Sequence, residues 1–144
     1  MMNKLSNTSQ NSTVKSDFAR FFSNLDSIGL ASLLKDDILY DELSKQDWIT
    51  LLEKQFESFK QEKISFLKPI PGSCLGCKKG CSGFTFLDED SGFYVDLVIE
   101  SNAAEIADFT DCVNLKNDVM GLNKREQIFM NDKDIHGTTQ EFPF

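Results

Sequence analysis

The sequence predicts an α+β domain in which N-terminal helices pack on one side of an antiparallel sheet. Two observations carry that prediction. Apolar residues recur at helical spacing from Val14 to about Lys63, and short alternating runs separated by turn residues follow as far as Cys112. A length of 144 residues fits one domain with a sizeable core that needs no disulfides.

Residues 1–13 are rich in Asn, Ser and Thr and lack apolar periodicity, so they read as a disordered segment ahead of a single domain over 14–144. Val14, Phe18, Phe21, Phe22 and Leu25 give a first amphipathic helix. Asp26 is placed to cap a second, short helix from Ser27 to Leu34. "DDILYDE" (36–42) is β-rich at its centre and reads as a short strand. Ser44 is an N-cap with Asp47 as its acidic partner in the first turn. The helix it opens carries Trp48, Leu51, Leu52, Phe56 and Phe59 on one face and runs to about Lys63.

"ISFLKPI" (64–70) reads as a strand ended by Pro69, Pro71 and Gly72. Three more strands follow, Gly83 to Leu87, Phe93 to Glu100 and Glu105 to Cys112, with "DEDSG" and "SNAA" as turns. Pairing Phe86 with Phe93 and Phe84 with Val95 gathers Phe84, Phe86, Phe93, Val95, Leu97 and Ile99 on one face. Ala107 and Phe109 join it, and a one-residue slip would scatter the set. Thr85, Tyr94, Asp96, Val98, Ile106 and Asp108 fall on the opposite face, a mixed surface suited to solvent or to a homodimer contact. In the tail, "EQIFM" (126–130) is a further strand candidate.

The formal charge of −8 argues against a nucleic-acid partner, which needs a basic face. No apolar run approaches the ~20 residues that cross a bilayer. The N-terminus lacks the apolar stretch of a signal peptide, so the expected location is cytoplasmic. There thiols stay reduced, and clustered cysteines lean toward metal or redox chemistry. The N-x-[ST] matches at Asn7 and Asn11 then carry no meaning.

Three of the four cysteines lie in "SCLGCKKGCSGF" (73–84), as C-x2-C-x3-C. Cys74, Cys77 and Cys81 can wrap one zinc ion, because Gly76 and Gly80 let the backbone turn tightly. A structural zinc needs a fourth ligand, and Cys112 is the first nominee. In a simple meander, though, Cys81 and Cys112 sit at opposite ends of the sheet, ~20 Å apart at ~3.3 Å per residue. His136, the only histidine, or a partner subunit is the alternative fourth ligand. An iron–sulfur spacing is absent. Lys78 and Lys79 favour thiolates and so a redox reading, but "CLGC" lacks the strand–helix setting of a thioredoxin-like motif. A loop with no chemistry remains the third reading.

The segment "FFSNLDSIGLASLLKDDILYDELSKQDWITLLEKQFESF" (21–59) resembles the nuclear transport factor 2-like (SnoaL-like) superfamily. Its form, a helix, a D-x-x-x-L-x-x-L-L-x-D-D-like passage, a brief strand and a capped amphipathic helix, is common there. "FYVDLVIESNAAEIADFTDC" (93–112) is similar to the closing strands of that family. The resemblance spans about residues 14–112. It implies a cystatin-like fold, a cone-like curved antiparallel sheet packed against N-terminal helices. The cysteine loop lies outside the usual pattern, as an added hairpin of a bacterial member.

The resemblance further implies an apolar pocket inside the cone for a small-molecule ligand. Tyr40, Trp48, Phe18, Phe22, Phe84, Phe86 and Phe109 are the residues nominated to line it, with core packing as the alternative for Tyr40 and Trp48. Isomerase-like members carry a carboxylate base after the first short strand, which here falls on Glu42 with Asp41 adjacent. The phenol and protonated carboxyl that complete such a site find no counterpart, because Phe18, Phe21 and Phe22 occupy the first helix. The expectation is therefore a non-catalytic, small-molecule-binding or dimerising domain. A zinc-stabilised interaction module and a carboxylate-base isomerase or dehydratase are the rivals.

Overall fold

A computed structural model describes residues 13–74, 82–102, 105–112, 115–116 and 126–131. Apart from Thr13, the N-terminal segment expected to be disordered lies outside them. The described chain has mixed helix and antiparallel sheet, and the sheet is curved and unclosed.

Helix α1 (Thr13–Ser23) buries Val14, Phe18, Ala19 and Phe22, the stripe that i, i+4 spacing dictates. It ends in a Schellman turn: Leu25 takes φ 56°, and the Asp26 N–H reaches Phe21 O at 2.9 Å. Asp26 then caps α2 (Ser27–Ala31) by accepting the Gly29 N–H at 2.9 Å. Helix α2 is shorter than the span read from sequence, and turns carry the chain onward to Leu34. Ser44 Oγ accepts the Asp47 N–H at 3.1 Å and opens α3 (Lys45–Gln61), which buries Trp48, Leu52, Phe56 and Phe59. A second Schellman turn closes it, with Lys63 at φ 67° and Ile64 N–H on Phe59 O at 2.9 Å.

The strand expected over 36–42 reduces to a single bridge between Tyr40 and Leu43. Asp41 and Glu42 turn the chain between them, at φ 51° and 69°. Two successive left-handed residues match a type I′ turn. Asp-Glu is a poor signature for that turn, so nothing local announces it.

The strands are β1 (Lys68–Cys74), β2 (Ser82–Leu87), β3 (Phe93–Asn102), β4 (Glu105–Asp111), β5 (Leu115–Lys116) and β6 (Glu126–Gln127). Their order is β4-β3-β2-β1-β5, with β6 parallel to the start of β3. Strand β1 begins where the sequence reading ended it and contains both prolines. Pro69 and Pro71 are two apart, so their missing N–H groups face one edge, and along 68–72 only the other edge is paired among the described residues.

Two register findings follow. Phe84 pairs with Leu97 and Phe86 with Val95, two residues from the expected pairing. The cause is the turn. Asp88 accepts the Ser91 N–H at 3.0 Å, and Gly92 takes φ 85°, so a four-residue loop replaces a two-residue one. A shift of two keeps the faces, and Phe86, Val95, Leu97 and Ile99 are all buried in the core. In β4 the faces do change. Glu100 pairs with Asp108 but Ser101 with Ile106, a bulge at Ala107. Ile106 and Phe109 therefore both enter the core, each 1% exposed, whereas alternation placed Ile106 outside.

The curvature follows from connectivity. Asp111 lies in the pairing row of Leu97, Phe84 and Pro71, while Leu115 pairs with Cys74 beyond β1. On a flat sheet those positions lie four strand spacings and three residues apart, roughly 22 Å. Four residues span at most about 14 Å. The sheet must curl, and the face opposite the helices is not a solvent surface there. Thr85, Asp96 and Val98 are buried, which corrects their reading as a free contact surface.

Candidate functional site

The curl brings together two thiols that a flat sheet separates. Cys74 closes β1, and Cys112 follows β4 with its N–H on Asp96 O at 3.1 Å. By alternation both belong to the face of Ile70, Thr85 and Asp96, away from the helices. Their sulfurs are 3.6 Å apart, across 38 residues of sequence, and both side chains are half-buried. This overturns the expectation that Cys112 lies at the far end of the sheet. That expectation assumed a flat meander with β4 running the full length of β3. Strand β4 instead stops beside Leu97, midway along β3, and the chain crosses to β1.

The separation has a chemical reading. It is too long for a disulfide, about 2.05 Å. Two thiolates on one tetrahedral ion with Zn–S bonds of about 2.3 Å sit about 3.8 Å apart. Cys77, Cys81 and His136 lie outside the described residues. Among the described residues no third donor joins the pair. The chain leaves β1 at Cys74 and re-enters β2 at Ser82, which pairs with Ser73, so both ends of 75–81 are anchored at this end of β1.

Neighbouring groups fix the Cys112 backbone. Gln127 Nε2 donates to Cys112 O at 3.0 Å. The Asp111 carboxylate accepts the N–H groups of Met130 and Asn131 at 3.0–3.1 Å. Sequence reasoning missed these two residues, because what they bond is backbone 15 to 20 residues away. Beside Cys112, Thr85 Oγ1 donates to Asp96 Oδ1 at 2.6 Å, and Asp96 is 2% exposed. A carboxylate inside the apolar run "FYVDLVIE" was the available signal. Tyr94, on the same face, has its phenol pKa raised by burial and then by the Asp96 charge.

The carboxylates nominated as bases sit elsewhere. Asp41 is half-buried, and its Oδ2 accepts from Asn131 Nδ2 at 3.0 Å. Its N–H donates to Asp108 Oδ1 at 2.8 Å. Glu42 is exposed on the turn. Near them a cleft of about 310 Å³ is lined by Leu43, Asp47, Thr50, Leu51 and Asn131.

The aromatic residues nominated for a pocket meet one another. Phe22 and Phe86 ring centroids are 4.4 Å apart, Trp48 and Phe109 4.5 Å, and Phe18 and Phe109 5.0 Å. Trp48 Nε1 donates to Tyr40 O at 2.6 Å, and Tyr40 Oη accepts the Lys35 N–H at 2.9 Å. Both polar tips are thus satisfied inside the core. Phe84, half-buried, rests against Phe86 at 5.8 Å.

No described helix is long and apolar enough to cross a membrane. Comparison with protein-family models, curated proteins and solved structures finds no match to this chain.

Proposed function

We propose that the chain is a non-catalytic zinc-thiolate domain, in which a bound ion holds the curled sheet together. The observation that carries this is the 3.6 Å approach of Cys74 and Cys112. Cys77 and Cys81 are the remaining ligands, nominated by the C-x2-C-x3-C spacing. Reach is no obstacle, since Cys77 is three residues from Cys74 and Cys81 adjoins Ser82. With Cys112 in the set, neither His136 nor a partner subunit is needed. The ion would join the end of β1, the start of β2 and the exit of β4, where the sheet stays open.

The isomerase reading gains nothing, because the Asp41 carboxylate is tied to Asn131 and Glu42 is exposed on the turn. The interior-pocket reading gains nothing from rings packed at 4.4–5.0 Å. For the fold, the nuclear transport factor 2-like class remains our proposal, supported by helices that precede a curved antiparallel sheet.

The test is elemental analysis of protein purified without added metal. One zinc per chain is expected, falling sharply in Cys112→Ser, with a lowered melting temperature after chelation. Less than stoichiometric zinc in the unmodified chain, after expression in zinc-replete medium, overturns the proposal.

A further inference from the structure

We propose that Cys74 and Cys112 are also an oxidation site, which a hydroperoxide converts into a disulfide linking β1 to the exit of β4. This shares its sulfurs with the zinc site but rests on their separation alone, so it stands or falls without the metal.

Both cysteines keep part of their surface exposed, which leaves a small peroxide a way in, and their sulfurs stand 3.6 Å apart. Closing that gap to about 2.05 Å moves each sulfur by only about 0.8 Å. The chemistry balances with the peroxide as oxidant. One thiolate attacks a peroxide oxygen: the S–O bond forms, the O–O bond breaks, and an alcohol leaves, or water from hydrogen peroxide. The second thiolate then attacks the sulfenic sulfur, so S–S forms, S–O breaks and hydroxide leaves as water. Two thiols lose two electrons and two protons, and one peroxide is reduced. A disulfide sulfur is no longer a thiolate ligand, so the reaction removes two of the four donors proposed for zinc.

The experiment treats the full-length, reduced chain with hydrogen peroxide, with and without prior chelation. Free thiols are then alkylated, and peptides are mapped by mass spectrometry without reduction. Zinc content is measured on the same sample beforehand. A Cys74–Cys112 cross-link in the chelated arm is expected, with reactive thiols falling from four to two and returning with dithiothreitol. If zinc is bound, chelation should accelerate the reaction at least several-fold. Cross-links confined to 74–81, or sulfinic acid at Cys112 without a cross-link, overturn the inference. A metal-free protein that forms the 74–112 bond refutes the zinc reading alone. A zinc-loaded protein that fails to form it after chelation refutes this inference alone.

Discussion

Asp111 accepts the backbone N–H of Asn131 at 3.0 Å, and the same carboxylate takes the Met130 N–H through both oxygens. Met130 and Asn131 are each 3% exposed, so their amides have little water to turn to. Asp111 thus fastens the segment after β6 to the end of β4. Asp111→Ala is expected to destabilise the chain by about 2–3 kcal/mol, since it leaves buried donors without a charged acceptor. Urea denaturation measures the loss, and hydrogen exchange should quicken first at the Met130 and Asn131 amides. A change within about 0.5 kcal/mol would mark Asp111 as an ordinary surface position.

Thr85→Val tests the buried pair beside Cys112. Valine suits a strand and keeps the shape, so propensity alone predicts a neutral or stabilising change. The hydroxyl, however, donates at 2.6 Å to a carboxylate that is 2% exposed. Losing that bond should cost about 1.5–3 kcal/mol, with Thr85→Ser recovering most of it. A valine variant as stable as the parent would show that the other partners of Asp96 hold it without the Thr85 hydroxyl.

Lys63→Gly should stabilise the chain. Lys63 is exposed and holds φ 67° at the end of α3. A non-glycine residue in this region costs roughly 1–2 kcal/mol, against about 0.5–1 kcal/mol for the extra freedom glycine loses on folding. A net gain of about 0.5–1 kcal/mol is expected by thermal or urea unfolding. A loss would mean that the lysine stem contributes packing the backbone argument ignores.

The helices were legible because their stripes and caps are local. Val14 through Phe22 and Trp48 through Phe59 repeat at helical spacing, and Asp26 and Ser44 stand where an N-cap must. The faces of β2 and β3 were legible too, since alternation survives a register error of two. What the sequence hid was non-local. The bulge at Ala107 depends on a pairing mismatch with Glu100 and Ser101. The curl depends on where β4 stops along β3. With both hidden, Cys112 falls at the wrong end of a flat sheet, and its nomination beside Cys74 as a zinc ligand is argued away on that geometry. Asp41 and Glu42 are candidate bases by position, but their left-handed backbone and the contact of Asp41 with Asn131 have no sequence signal.

The pH dependence of stability should carry a contribution from Asp108. Burial raises its pKa above the usual carboxylate value, with the charges of Asp41 and Glu100 acting the same way. The N–H groups of Asp41 and Phe109, each 2.8 Å from Oδ1, oppose the shift without cancelling it. A carboxyl with a raised native pKa binds more protons folded than unfolded. Its share of stability is therefore present below the unfolded value, about 3.9, and is lost as pH rises through the native one. Asp108→Asn keeps an Oδ1 for both N–H groups and removes the charge. It should be more stable than the parent at pH 7, and the advantage should shrink as pH falls through the raised native value and be gone below about 4. Added salt should narrow it as well, by screening Asp41 and Glu100. Chemical denaturation of both proteins across pH 3–8 measures the difference. An advantage that did not change with pH, or a variant less stable at pH 7, would assign Asp108 to holding the Asp41 turn through its charge.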